Sequence, residues 1–171
     1  MAELGWFAGQ RVELIEGEIV VLSPQKFAHG QVTDRATELM REVFGAGFWA
    51  RMQLPLDLGP SSEPEPDVSV VRGSRDSYAA HPQAAELVIE VSDTTLAFDR
   101  REKASLYARA GIADYWVVNL VQRVLHVYRD PQADENQPYG FGYGSTQTFQ
   151  PGEQITPLAA RSSVSVSSMF A

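Results

Sequence analysis

The segment Glu86–Asp93, "ELVIEVSD", has the composition of a strand covered on both faces, except at one residue. Leu87, Val88, Ile89 and Val91 make up its apolar run, and Glu90 interrupts it. An unpaired carboxylate in such a place costs several kcal/mol or takes up a proton. The rest of the chain must therefore supply Glu90 with a partner. A strand's period of two puts Glu86, Val88, Glu90 and Ser92 on one face. In "EPEPDVSVV", Glu63–Val71, the same period puts Asp67, Ser69 and Val71 on one face and Val68 and Val70 on the other. If these strands are neighbours, Asp67 and Glu90 converge. Two close carboxylates repel unless a cation lies between them. Magnesium suits such an all-oxygen site, with one or two carboxylates and retained waters.

A second cation comes from the segment that follows. Helical spacing aligns Lys103 with Leu106, Tyr107 and Ala110, the apolar stripe that packs on the sheet, so the lysine is aimed inward and pairs with Glu90. Arg100, Arg101, Glu102 and Arg109 read as exposed charges. Lysine occurs only at positions 26 and 103, among 14 basic residues, which singles out Lys103 further.

The remaining chain reads as one mixed α/β domain spanning residues 1–171, a twisted sheet with at least two helices packed on it. Arg11–Pro24 predicts a β-hairpin turning at Glu16 and Gly17, with Pro24 closing its second strand. The first helix is expected from His29 to about Phe44 and the second from about Asp99 to Ala110, stopped by Gly111. Strands are expected over residues 48–58, in the second half of 59–73, and in two stretches at 113–120 and 123–130 joined through Val121 and Gln122. Residues 74–85 and 131–145 have loop composition, and short strands are expected in 146–149 and 162–168.

Composition excludes several chemistries. There is no cysteine, hence no disulfide, thiolate nucleophile or sulfur-ligated zinc. The net charge of -8 opposes broad, sequence-independent nucleic-acid binding. No apolar run approaches a membrane span, and the N-terminus lacks the pattern of a secretory leader, so a cytoplasmic protein is expected. No serine lies in a nucleophile elbow, and three histidines are too scattered for a triad.

"EPEPDVSVV", "ELVIEVSDTTLAFDRREKASLYARAGIADYWVVN" and "VELIEGEIVVLSP" followed by "HG" resemble the Uma-two family of restriction endonucleases, a branch of the PD-(D/E)xK nuclease superfamily, from about Arg11 to Phe170. The resemblance implies a restriction-endonuclease-like fold and a Mg²⁺-dependent phosphodiesterase, with Mn²⁺ as a substitute and DNA as substrate. Pro66 and Asp67 match the PD element, and Glu90 matches the acid of the second element. The superfamily usually places a lysine two residues later; Ser92 stands there, and Lys103 occupies the position from which the resembling family supplies it. Asp67, Glu90 and the Val91 main-chain carbonyl are thereby implied to hold the metal, and Lys103 to orient a water. A homodimer would offer one site per strand of a duplex.

Other residues carry two readings. Glu63 and Glu65 share the parity of Asp67 and are either added ligands or a solvated lead-in. His29 either touches the site or a phosphate, or is a helix-start histidine; Glu38 is a minor candidate for an outer metal position. His81 and His126 read as loop and strand-surface residues, and Tyr107, Gly111, Tyr115 and Trp116 as packing. DNA contact would require Arg35, Arg51, Arg72, Arg75, Arg100 and Arg101 to gather at the site. The competing function is a non-catalytic nuclease-fold binding or assembly module; hydrolysis of another phosphate ester would use the same residues.

Overall fold

The computed structural model describes residues 10–22 and 24–170. The segment before residue 10, on which the reading against a leader partly rests, lies outside them. Strands β1 (Val12–Ile15) and β2 (Glu18–Val21) form an antiparallel hairpin. Glu16 and Gly17 both take positive φ, 51° and 83°, the requirement of the tight turn that matches strand twist. Helix α1 (Phe27–Phe44) follows, then β3 (Phe48–Met52), β4 (Val68–Arg72) and β5 (Leu87–Ser92). Helix α2 covers residues 96–109: an α-turn at Leu96–Phe98, a π-helical turn at Asp99–Lys103 and α-helix at Ala104–Arg109. Strands β6 (Asp114–Asn119), β7 (Val124–Ala133) and β8 (Phe141–Phe149) complete a six-stranded mixed sheet in the order β3-β4-β5-β6-β7-β8. Among the described strands only β5 and β6 run parallel, joined across α2. A small pair, β9 (Gln154–Ile155) and β10 (Val164–Ser165), precedes a 3₁₀ turn at Val166–Met169.

Strand parity builds two cores. Ile89, Val91, Trp116 and Val118 pack with Met40 and Phe44 of α1 and with Val166 and Met169 of the tail. Val88, Tyr115 and Val117, the alternate positions, pack with Ala104 and Tyr107 of α2. Glu90 therefore belongs by parity to the face that α2 covers.

Helix α2 ends where the sequence indicates. The Ile112 N–H bonds the Tyr107 carbonyl at 3.0 Å and the Gly111 N–H bonds the Ala108 carbonyl at 3.0 Å, with Gly111 at φ +74°. This is a left-handed helix stop that seats Ile112 in the core. Because open space surrounds the Gly111 α-carbon, Gly111→Ala meets only the backbone penalty. The variant is expected to lose about 1–2 kcal/mol in urea unfolding with an unchanged slope.

Several expected boundaries move. The strand expected over 48–58 stops at Met52, because Gln53 takes φ 50° and Pro55 follows. Residues 131–145 are not a loop: β7 runs on to Ala133 and β8 begins at Phe141. Gly142 and Gly144 served as loop signals, yet a Cβ on Gly144 would lie 2.5 Å from Asp130 Oδ2, so the glycine admits side chains from the paired strand. The exposed part shrinks to a turn in which Asp134 Oδ1 accepts the Asn136 N–H. His126, expected at a strand surface, is 5% exposed, because β8 covers β7 and Thr148 bonds its Nδ1. Among the described residues no helix is long and apolar enough to cross a membrane.

Candidate active site

Strands β4 and β5 pair antiparallel with Val68 opposite Ile89. Extending that register by one residue sets Asp67 opposite Glu90, both with the parity that faces α2. The contact is reciprocal: the Val91 N–H donates to Asp67 Oδ2 at 2.8 Å, and the Asp67 N–H donates to Glu90 Oε2 at 3.4 Å. Helix α2 adds Lys103, whose Nζ donates to Glu90 Oε1 at 2.9 Å. Asp67 (8% exposed), Glu90 (4%) and Lys103 (5%) are all buried. The three residues singled out in the sequence thus meet at one place.

Four further groups complete the constellation. Glu13 of the N-terminal hairpin accepts a hydrogen bond from Lys103 Nζ at 3.0 Å through Oε1. Tyr107, assigned above to packing alone, also donates its hydroxyl to Glu90 Oε1 at 2.8 Å. His29 Nε2 lies 3.2 Å from Asp67 Oδ2. Asp99, one turn before Lys103, is buried and accepts from Thr95 Oγ1 at 2.6 Å. The π-helical turn Asp99–Lys103 carries both charged groups on the buried side of α2, a local widening that recurs at functional sites.

All of these residues except Tyr107 border a cavity of about 310 Å³. Six carboxylates face it, from Glu13, Glu65, Asp67, Glu90, Asp93 and Asp99, against the cations of Arg11, Lys26 and Lys103 and the His29 ring. Arg11 pairs with Glu65 and Lys26 with Asp93. The interior set retains an excess of negative charge.

That excess sets the protonation states. Burial, joined by the Asp67, Asp99 and Glu13 charges and opposed by the Lys103 ammonium, pushes Glu90 up to about 8. Burial alone would lower Lys103, but Glu90, Glu13 and Asp99 outweigh it and raise the ammonium above its ordinary value. Burial would also raise Asp67; the His29 hydrogen bond and charge, with the Val91 N–H and the Gln53 amide, hold it below the usual carboxylate range instead. His29 is correspondingly raised, Asp67 and the Val91 main chain overcoming its burial. Burial raises Asp99.

The other candidates separate. Glu65 lines the cavity, whereas Glu63 is exposed and faces His81 Nε2 at 3.5 Å. Glu38 is exposed and does not border the cavity, so its outer metal position is withdrawn: helix α1 turns it to solvent. The arginines that DNA contact would require at the site do not line its cavity. Arg51 is buried, donating to the Pro55 carbonyl at 2.8 Å, Arg72 pairs with Glu86, and none of the six arginines lines the cavity.

The donor set fits a hard divalent cation. Asp67, Glu90 and the Val91 carbonyl offer oxygen, and Glu13 Oε2 is a buried oxygen without a hydrogen-bond partner among the described residues; Mg²⁺ needs only one or two carboxylates because it keeps its waters. Among the described residues no three His, Asp or Glu side chains are already arranged around one ion. The Lys103 ammonium occupies Glu90 and Glu13, and His29 occupies Asp67.

A sequence model of the family Uma2, described as "Putative restriction endonuclease", matches residues 5–167. The fold is similar to that of the crystal structure of "a putative nuclease belonging to DUF820" from Anabaena variabilis, with a TM-score of 0.70 and 19% sequence identity over 93% of this chain and 89% of that one. At this identity the likeness speaks for the fold alone. No curated protein matches the chain.

Proposed function

The chain belongs to the Uma2 family, and from that premise we propose that it is a metal-dependent endonuclease that hydrolyses phosphodiester bonds in DNA. The observation that carries this reading is the meeting of Asp67 and Glu90 on paired strands with the Lys103 ammonium 2.9 Å from Glu90. Asp67, Glu90 and the Val91 carbonyl would hold Mg²⁺, or Mn²⁺ in its place. When bound, the ion supplies charge stabilisation at the scissile phosphate and a more acidic water. Tyr107 and Lys103 fix the Glu90 carboxylate, while His29 fixes that of Asp67. Lys103 adds positive charge where a phosphorane-like state becomes more negative.

The test is cleavage of supercoiled plasmid and of single-stranded oligonucleotides by the purified protein, with Mg²⁺ and with Mn²⁺, across a range of salt. Cleavage that disappears with a chelator supports the reading; an inert wild type would sink it. One observation favours a second reading, a non-catalytic nuclease-fold module. Lys103 is tied to two carboxylates and His29 to Asp67, so both cations of the interior set are already engaged by its acids. An inert wild type that still binds a cation would match that reading.

Cation affinity should depend on pH with a definite sign. A ligand whose carboxyl holds its proton up to about 8 must release it on binding. Mg²⁺ affinity is therefore expected to rise about tenfold per pH unit from pH 6 and to level off above the Glu90 value. Isothermal titration calorimetry at pH 6, 7, 8 and 9 measures this; Glu90→Gln should bind weakly with no such slope. The linked effect on the metal-free protein has the opposite direction. Between the ordinary carboxyl value and about 8 the folded chain binds more protons than the unfolded one, so Glu90 takes away stability as pH rises through that window.

A further inference from the structure

Glu13 reaches the site from outside the central sheet. It lies on β1, is 1% exposed and sits 90 positions from Lys103 in sequence. Its Oε1 accepts from Lys103 Nζ at 3.0 Å and from the Glu65 N–H at 2.9 Å. Its Oε2 is buried and has no hydrogen-bond partner among the described residues. Buried carboxylates retained for stability have their oxygens satisfied, since an unsatisfied charged acceptor is costly. A carboxylate retained to hold an ammonium needs only one.

The hairpin has other fastenings. Arg109 pairs with Glu16, the Glu63 N–H donates to the Leu14 carbonyl at 2.7 Å, and the Gly17 N–H donates to the Ser61 carbonyl at 2.8 Å. Glu13 is thus not required to anchor β1. It faces the cavity and grips Lys103 from an element that belongs neither to α2 nor to the central sheet. Glu90 gives the ammonium a first tether, and Glu13 a second from an independent element, which together define where the charge stands.

Resting on the nuclease reading, we infer that Glu13 is a positioning residue of that site, acting through Lys103: the N-terminal hairpin delivers the carboxylate that fixes the ammonium in place. Displacing a group by about an ångström costs about a hundredfold in rate. Glu13→Ala and Glu13→Gln are therefore expected to lower kcat about a hundredfold while KM changes less than about threefold. Glu13→Asp, which keeps the charge on a shorter stem, should recover part of kcat.

A second readout needs no activity. The chain has only two lysines, and Lys26 is exposed, its side chain 68% accessible. In ¹⁵N-lysine-labelled protein the Lys103 ammonium should give a separate, exchange-protected signal that Glu13→Ala loses and Glu13→Asp retains, with the backbone amide fingerprint showing each variant folded. A Lys103 signal and a kcat both unchanged in Glu13→Ala overturn the inference and leave the nuclease reading standing. If the wild type cleaves no DNA, the nuclease reading fails, and the ammonium signal alone decides whether Glu13 holds Lys103.

Discussion

Asp67→Asn is expected to leave a folded protein whose Mg²⁺-dependent cleavage falls about 10³-fold or more. The substitution keeps the shape and one acceptor for the Val91 N–H, but removes the negative charge that two neighbours are built around. Those neighbours are His29, 3.2 Å away, and the proposed cation. Losing a charged partner of a divalent ion together with the state it stabilises is worth about 4 kcal/mol at the transition state, equivalent to that rate factor. Single-turnover cleavage of plasmid DNA reads the rate, and calorimetry with Mn²⁺ should show the binding heat gone. Wild-type rates in this variant would remove Asp67 from the mechanism.

Stability gives an internal control on the same variant. Because Asp67 is held below its usual value, its charge contributes stability that is present above the unfolded carboxyl value and lost as pH falls through the folded one. The wild type should exceed Asp67→Asn by about 1–3 kcal/mol near neutrality. The two should converge in acid. A variant that loses activity but shows this pH pattern has lost a charge rather than its fold.

Lys103→Met is expected to cost about 3–5 kcal/mol in urea unfolding at pH 7. The methionine replaces the stem well, but Glu90 and Glu13 then face each other buried, without the ammonium both bond at 2.9 and 3.0 Å. Removing one partner of a buried ionic group exposes the full desolvation cost of what remains. The deficit should grow as pH rises through about 8, where Glu90 ionises beside the ammonium in the wild type and has no such partner in the variant. It should shrink in Lys103→Met/Glu13→Gln, which replaces one of the two acids by an amide. A single variant as stable as wild type at pH 7 would mean that the triad contributes no net pairing energy.

How much of this could be read in advance depended on whether a signal was local. Asp67 and Glu90 emerge from the period of two in their strands, and Lys103 from its place on an apolar helical stripe, because each pattern lies within about ten residues. Asp99 and Tyr107 were within reach of the same logic, one turn either side of Lys103. Neither stands out in the sequence, because a helix start and an aromatic beside a sheet have ordinary structural uses. Glu13 was not legible: "VELI" alternates as any half-exposed hairpin strand does, and nothing local shows which face meets the sheet. The π-helical turn left no mark, since its residues would suit an α-helix equally well. The extended arm of β7 and β8 was hidden by Pro131 and the glycines at 140, 142 and 144. Composition there reports the tight spacing between two strands, which turn residues serve as readily as loops do.

The link between Glu13 and Lys103 has a consequence for biosynthesis. Ninety positions separate the partners, and contacts of such long range close late in folding. While a ribosome is still extruding the chain, the hairpin has emerged but helix α2 has not, so Glu13 has no ammonium to hold. On the proposed nuclease reading, a half-made copy carries the acids without the lysine, and cleavage would begin only once distant parts of the polypeptide have docked.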